Sequence, residues 1–166
     1  MATTVNDFDL RSEVRRDALH WSATVLVAIT WFSGALFGAY ILFFFGGTAM
    51  RGMVERWNEA LPNLHDAARP MAAAAIGLHF VTGGILLLLG PVQLIGAIRR
   101  RVPGVHRWLG RAYALSAALA GFGGTTFILV NGTVGGTVMN IGFAIYGVLM
   151  LVCAAVALGN VLVWTL

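Results

Sequence analysis

Four histidines, His20, His65, His79 and His106, are the side chains in this sequence best able to do chemistry. A neutral imidazole binds metals and haem iron, and it titrates near physiological pH. His79 lies within a long apolar run, whereas the other three lie near the ends of such runs or between them. An ionisable residue inside a membrane span is a functional hypothesis by default. The competing explanation, which we favour, is a hydrogen bond from His79 to a serine, threonine or backbone carbonyl of a neighbouring helix.

Two histidines on facing helices could hold a haem b group between them. His79 lies nineteen residues before Ile98, so about 29 Å of helix would separate it from the far end of its span. His79 and His106 therefore cannot share one iron unless the intervening loop folds back into the membrane. The feasible pairs are His20 with His106 and His79 with His65. A haem-binding electron-transfer protein is thus the alternative function, with the four histidines as candidate cofactor ligands.

Other catalytic patterns do not stand out in the sequence. No nucleophile elbow, P-loop or zinc-protease helix occurs. All seven acidic residues lie outside the apolar runs, so a carboxylate relay for ions or protons has no residues to use. The lone cysteine, Cys153, lies in an apolar run and cannot form an internal disulfide. We expect a protein that is not an enzyme and has no dedicated metal site.

The elements that must position the histidines are membrane-spanning helices. Apolar residues make up 58% of the 166-residue chain and charged residues 11%, whereas soluble domains carry roughly a quarter charged residues. A span needs about 20 apolar residues, and the hydropathy pattern predicts four spans in a single membrane domain of residues 1–166. A polar segment, residues 1–20, precedes the first. The spans are predicted at about 21–45, 71–98, 112–130 and 138–166.

The polar segment between the first two spans carries a helical pattern of its own. Met53, Trp57 and Leu61 recur at helical spacing, with charged residues on the other side. We predict a short amphipathic helix over about 49–61 that lies on the membrane surface and is anchored by Trp57. A helix that docks a partner subunit would give the same pattern. The predicted fold class is an all-α integral membrane protein with four transmembrane helices and this interfacial helix.

The arginines predict the orientation of the chain. Three lie in the N-terminal segment and five in residues 99–111, so eight share one side. The first loop on the other side has three, balanced by three acids, and the second has none. Positively charged loops stay on the cytoplasmic side. We therefore expect a bacterial cytoplasmic (inner) membrane protein with both termini in the cytoplasm.

The basic loop between the second and third spans is expected to contact lipid. The chain has a net charge of +4, but its basic residues flank apolar runs, which favours anionic lipid headgroups over nucleic acid as the partner. Pro103 and Gly104 are predicted to form the turn of this loop. The candidate headgroup-binding and topology-setting residues are Arg99, Arg100, Arg101, Arg107 and Arg111.

The stretch from His79 to Tyr113 carries a recognisable motif string. It reads H-x-x-x-G at His79 and Gly83 and G-P-x-Q from Gly90 to Gln93, followed by H-R-W-L-G-R-x-Y from His106 to Tyr113. This string resembles the bacterial family of predicted multi-pass membrane proteins called domain of unknown function (DUF) 2306. The family has no settled activity, so the resemblance implies a set of signature positions but no reaction. These positions are His79, Gly83, Pro91, Gln93, His106, Arg107, Gly110, Arg111 and Tyr113.

One departure from the family concerns the C-terminal side. Members of the family continue into further helices with another basic, histidine-bearing segment, whereas this sequence ends at Leu166. The resemblance therefore implies a shortened relative or a chain that lacks its C-terminal part.

The leading functional prediction is a non-catalytic accessory or packing subunit of a larger bioenergetic membrane complex, respiratory or photosynthetic. It rests on a small helix-only chain without acids in its spans and with a docking-type amphipathic segment. Other membrane subunits are then the expected partners. A small-molecule or lipid-handling role for the region between Gln93 and Arg107 is a third possibility.

Overall fold

The protein is an all-α integral membrane protein. A computed structural model describes the backbone of residues 3–163 and the side chains of residues 15–160. Within these residues, four helices are long and apolar enough to cross a membrane, as the hydropathy pattern predicted. The helices are α1 (Thr3–Ile41), α2 (Gly47–Met50), α3 (Trp57–Ala60), α4 (Pro70–Gln93), α5 (Gly96–Arg101), α6 (Pro103–Asn131) and α7 (Gly136–Val163).

The chain divides into two units between Ala35 and Leu36, within α1. The first unit is the helix itself, and its side chains from Arg15 to Ser33 are all exposed. The hydroxyls of Ser22 and Thr24 donate to backbone carbonyls four residues earlier, so these polar groups are satisfied without leaving the helix. The predicted first span began at residue 21, but the helix already begins at Thr3.

The second unit opens with the end of α1 and a π-helical turn, Leu42–Gly46. This turn leads into α2, and the chain then bends at Gly52, which has a φ of +69° that favours glycine. A 3₁₀ turn, Val54–Arg56, and the single turn of α3 follow. The prediction of one continuous helix over 49–61 is therefore wrong in form, because the bend at Gly52 breaks it.

Trp57 is buried and does not anchor the chain at the membrane surface. Only 4% of it is exposed, and its indole N–H donates to the hydroxyl of Thr48 over 2.8 Å. Its ring packs edge-on against Phe45 and Phe80. A tryptophan with its N–H satisfied can fill a core, and Trp57 belongs to the buried cluster that joins this segment to α4 and α6.

Helix α4 ends earlier than predicted and α6 begins earlier. Helix α4 continues through Pro91 and ends at Gln93, not at Ile98, and α5 forms a separate short helix. Helix α6 begins with Pro103 in its first turn, where the missing N–H of proline costs nothing. Residues 99–111 are thus mostly helical, and the helices break at Leu94–Ile95 and at Val102 instead of at Pro103 and Gly104. Residues 164–166 of the predicted fourth span lie outside the described residues.

Glycines let the spanning helices of the second unit approach closely. A Cβ on Gly123 of α6 would lie 2.5 Å from the carbonyl oxygen of Ala75 on α4. A Cβ added to Gly38 would likewise crowd the backbone oxygen of Gly84, where α1 crosses α4. A Cβ added to Gly121 would crowd the side chain of Leu151, where α6 crosses α7. Small residues serve this purpose in membranes because lipid provides no hydrophobic drive for helices to associate.

Candidate functional site

His79 lies on α4 at its contact with α6. Its Nδ1 is 2.9 Å from the backbone carbonyl oxygen of Ala120. The ring fits against Gly124, where an added Cβ would come within 2.7 Å of Nδ1. The edge of Phe80 is the other aromatic neighbour, with ring centroids 5.9 Å apart. A backbone carbonyl of a neighbouring helix was one of the three kinds of partner expected from the sequence, with serine and threonine.

This hydrogen bond fixes the tautomer of a neutral His79. A carbonyl oxygen can only accept, so Nδ1 must carry the hydrogen and Nε2 must hold the lone pair. No hydrogen bond to Nε2 is seen from residues 15–160. An imidazole held through Nδ1–H to a carbonyl, with Nε2 free, is oriented as metal-binding histidines are.

The other three histidines lie in different surroundings. His65 lies in the loop before α4, where its backbone N–H and carbonyl both bond to the side chain of Asn58. His106 lies in the first turn of α6, and His20 is an exposed residue of the first unit. The Nδ1 atoms of His65 and His106 are buried without a partner in the described part of the chain.

The structure separates His79 from His106. His79 meets α6 at Ala120, fourteen residues after His106, which is about 21 Å along the helix. One iron therefore cannot join them, in agreement with the estimate from the sequence. The pairs His79 with His65 and His20 with His106 stay predictions.

Several signature positions meet where the end of α4 contacts the start of α6. Gln93 lies beside Gly110, with its Oε1 3.7 Å from the place of a Cβ there. The ring of Tyr113 lies 3.3 Å from the position that a Cβ added to Gly90 would occupy. The Nε2 of Gln93 is buried without a partner among the described residues, as is Nδ1 of His106 one turn before Gly110. The space over Gly83 is open, and Pro91 lies in the last turn of α4.

The arginines predicted to bind lipid are all exposed on α5 and α6. Arg99, Arg100 and Arg101 end α5, and Arg107 and Arg111 lie one turn apart on α6. The ion pairs of the described side chains join Arg56 to Glu59 and Arg69 to Asp66, so these five guanidinium groups are available to solvent or lipid.

A cavity of about 780 Å³ lies at the opposite end of α6, and the sequence analysis missed it. The loop before α4, the last residues of α6 and the start of α7 form its walls. Asn131 fastens the loop to α6, because it donates to the carbonyl of Asn63 and accepts from Arg69. The polar residues near the ends of the spans could have indicated such a cavity. The contacts between them, however, depend on tertiary structure and cannot be predicted from the sequence.

Two glutamates near this cavity differ in their partners. Glu59 accepts hydrogen bonds from Arg56, and these bonds, with the attraction of opposite charges, raise the pKa of Arg56 above its ordinary value. Glu55 lines the cavity and forms no ion pair with a described side chain. Its exposed carboxylate is therefore not held in a salt bridge by the described side chains.

The fold and the α4–α6 contact define a helical membrane protein, and comparison with known proteins identifies its family. Residues 76–165 match the model of a family described as predicted membrane protein (DUF2306). The chain belongs to this family, which confirms the resemblance drawn from the motif string. No curated protein and no solved structure matches the chain.

Proposed function

We propose that the protein is a non-catalytic accessory subunit of a larger membrane assembly. The observation that carries this proposal is the exposed face of α7, which is apolar and includes a glycine in the second turn of the helix. Ile145, Leu149 and Val156 are exposed on this face, together with Gly142, where an added Cβ would meet nothing within 4 Å. A helical glycine costs about 1 kcal/mol relative to alanine, and no packing contact among the described residues of the second unit offsets this cost. A partner helix lying across Gly142 would account for it.

The polar groups inside the unit support a structural role. His79 bonds to a backbone carbonyl of α6, Trp57 bonds to Thr48, and Thr82 bonds to the carbonyl of Leu78. Each bond satisfies a group that would be costly to leave unpaired in lipid. These side chains connect helices or satisfy polar groups within a helix, as expected of a subunit with a structural role.

The kind of assembly and its membrane are proposed from features of the sequence. A small helix-only chain without acids in its spans fits a bioenergetic complex, respiratory or photosynthetic, in the bacterial inner membrane. The arginine balance supports cytoplasmic N- and C-termini. Anionic lipids at Arg99–Arg101, Arg107 and Arg111 complete the set of proposed partners.

Photo-cross-linking tests whether a polypeptide covers the exposed face of α7. A photoreactive p-benzoylphenylalanine in place of Leu149 is expected to give an adduct with a second membrane polypeptide in native membranes. The same group in place of Leu151, which faces Gly121 of α6, is the control and is expected to give none. Lipid adducts alone at position 149, with migration as a monomer on native gels after mild extraction, would contradict the proposal.

Gly142→Leu provides a second readout of the same face. The substitution is expected to release the protein from its assembly on native gels without destabilising the chain itself, because open space surrounds Gly142 and leucine favours a helix more than glycine does. Gly147→Leu is the contrasting variant, since Gly147 is buried against Thr125, and it should unfold the chain itself. An adduct of twice the chain mass would indicate a homodimer and would overturn the accessory role.

A second candidate function is haem b binding through His79. The specific observation in its favour is the Nδ1–H bond to Ala120, which leaves Nε2 oriented as in metal-bound histidines. An axial imidazole would supply iron with a strong nitrogen ligand. His65, the nearest histidine along the chain on the same side of the span, is the second ligand predicted from the sequence.

The absorption spectrum of the purified protein decides between the two functions. Haem binding predicts a Soret band and about one iron per chain, both lost in His79→Gln and retained in His20→Gln. A colourless protein with iron far below stoichiometry removes the haem hypothesis and leaves the accessory role standing.

A further inference from the structure

The cavity at the α6–α7 end of the second unit has the size and build of a ligand site. Its volume of about 780 Å³ falls within the range of roughly 300–1,000 Å³ that is usual for small-molecule sites. Its lining joins polar loop residues to apolar side chains of α6 and α7. This combination allows one molecule to place a polar head and an apolar body in the same space.

The walls of the cavity are held in place by hydrogen bonds. The amide of Asn58 makes two 2.9 Å bonds with the backbone of His65. Asn131 donates to the carbonyl of Asn63 over 2.8 Å, and Arg69 donates to Asn131 over 3.0 Å. These bonds connect segments more than sixty residues apart in the chain. The cavity is therefore formed before a ligand enters, which lowers the cost of binding.

The charges that line the cavity favour a cation. Arg69 pairs with Asp66 over 3.5 Å, so these two charges offset each other. The carboxylate of Glu55 is left without a partnered cation among the described side chains.

Another part of the lining is apolar. Phe127 is buried at the end of α6, and Met139 and Phe143 lie one turn apart on α7. Aromatic faces also attract cations. The cavity lies at the ends of the spanning helices, the level at which lipid headgroups meet water.

We propose that this cavity binds the primary ammonium group of an amphipathic molecule, with the ammonium near Glu55 and the apolar part against Phe127, Met139 and Phe143. The ethanolamine headgroup of a phospholipid and a free aromatic amine share this chemistry. The proposal is independent of the accessory role, because the cavity does not include the exposed residues of α7 on which that role rests.

Lipid retention in nanodiscs tests whether the ligand is the ethanolamine headgroup of a phospholipid. The full chain is placed in discs with equal amounts of phosphatidylethanolamine, phosphatidylcholine and phosphatidylglycerol, and retained lipids are counted by native mass spectrometry. Phosphatidylethanolamine should exceed phosphatidylcholine by roughly two- to fivefold, the range that one exposed ion pair can supply. Binding of a free aromatic amine is tested by saturation-transfer NMR with phenethylammonium, on protein in phosphatidylcholine discs.

Matched variants connect either signal to the cavity. Glu55→Gln should remove the preference, whereas Glu59→Gln, whose carboxylate is bound to Arg56, should retain it. Phe143→Ala should weaken binding, whereas Ile141→Ala, exposed outside the cavity, should not. Circular dichroism verifies that each variant is folded.

Each outcome decides the proposal. A Glu55-dependent preference for phosphatidylethanolamine identifies a lipid ligand, and a Glu55-dependent phenethylammonium signal without it identifies a soluble amine. Absence of both signals, a preference for phosphatidylglycerol, or binding unchanged in Glu55→Gln overturns the proposal.

Discussion

At the scale of single residues, polar side chains in the second unit join segments both near and distant in sequence. The indole of Trp57 bonds to Thr48, whose hydroxyl in turn donates to the carbonyl of Phe44. His79 connects α4 to α6 through the carbonyl of Ala120. In lipid such bonds are worth only about 0.6 kcal/mol on average, so their importance lies in fixing which residues meet.

Trp57→Phe is expected to destabilise the protein by about 0.6–1 kcal/mol, the contribution of one hydrogen bond. The phenyl ring still packs against Phe45 and Phe80, whereas Trp57→Ala empties the site and should cost about 3–5 kcal/mol. The measurement is unfolding by SDS in mixed micelles, followed by circular dichroism. Trp108→Phe is the control, because Trp108 is 65% exposed; an equal loss there would refute the assignment.

Trp57 also marks the limit of prediction from sequence at this scale. Its helical spacing with Met53 and Leu61 was a real pattern, but the same pattern suits a membrane surface and a protein core. The cover supplied by Phe45 and Phe80 comes from other elements, which periodicity cannot reveal. The bond of His79 was predicted by type, but the partner Ala120 was not.

At the scale of helices, close backbone approach determines how α4 and α6 pack. The Cβ of Gly123→Ala would lie 2.5 Å from the backbone oxygen of Ala75, and backbone cannot move aside as a side chain can. We expect a loss of about 1–3 kcal/mol from overpacking. Gly83→Ala on α4 meets nothing within 4 Å and should gain up to about 1 kcal/mol of helix propensity. SDS unfolding of both variants measures the contrast, and equal effects would contradict the packing argument.

The C-terminal turn of α5 gives a prediction about lipid. Replacing Arg99, Arg100 and Arg101 together by glutamine should reduce phosphatidylglycerol retained on the purified protein, because each basic residue near the surface contributes about 1 kcal/mol. Native mass spectrometry measures the retained lipid. The control is Arg51→Gln, an exposed arginine in the loop between α1 and α4. Unchanged retention in the triple variant would show that these arginines set topology alone.

The spans were predictable and their ends were not. Long uncharged runs identify four spans because the hydrocarbon core imposes a minimum length. Helix α6 begins at Pro103 within the basic stretch, since arginines are good helix formers and hydropathy measures only the apolar part. The cavity depends on Asn58 and Asn131 meeting residues far along the chain, which no local pattern encodes.

At the scale of the whole molecule, the distribution of arginines predicts the direction of each span. An alkaline phosphatase reporter fused after His65 should be active, because that loop is expected outside the cytoplasm, and one fused after Gly104 should be inactive. Fluorescent-protein fusions at the same points should give the opposite pattern. Activity after Gly104 with none after His65 would reverse the proposed orientation.

The π-helical turn at Leu42–Gly46 has a consequence for comparing relatives. Such a turn accommodates one residue more than an α-helix, and each residue rotates a helix by about 100°. Beyond the turn, Thr48 faces the indole of Trp57. In relatives that keep an unbroken α-helix here, we expect the alignment to need a one-residue gap between positions 42 and 46. Without that gap, every later position of the segment would be compared with a residue from the wrong side of the helix.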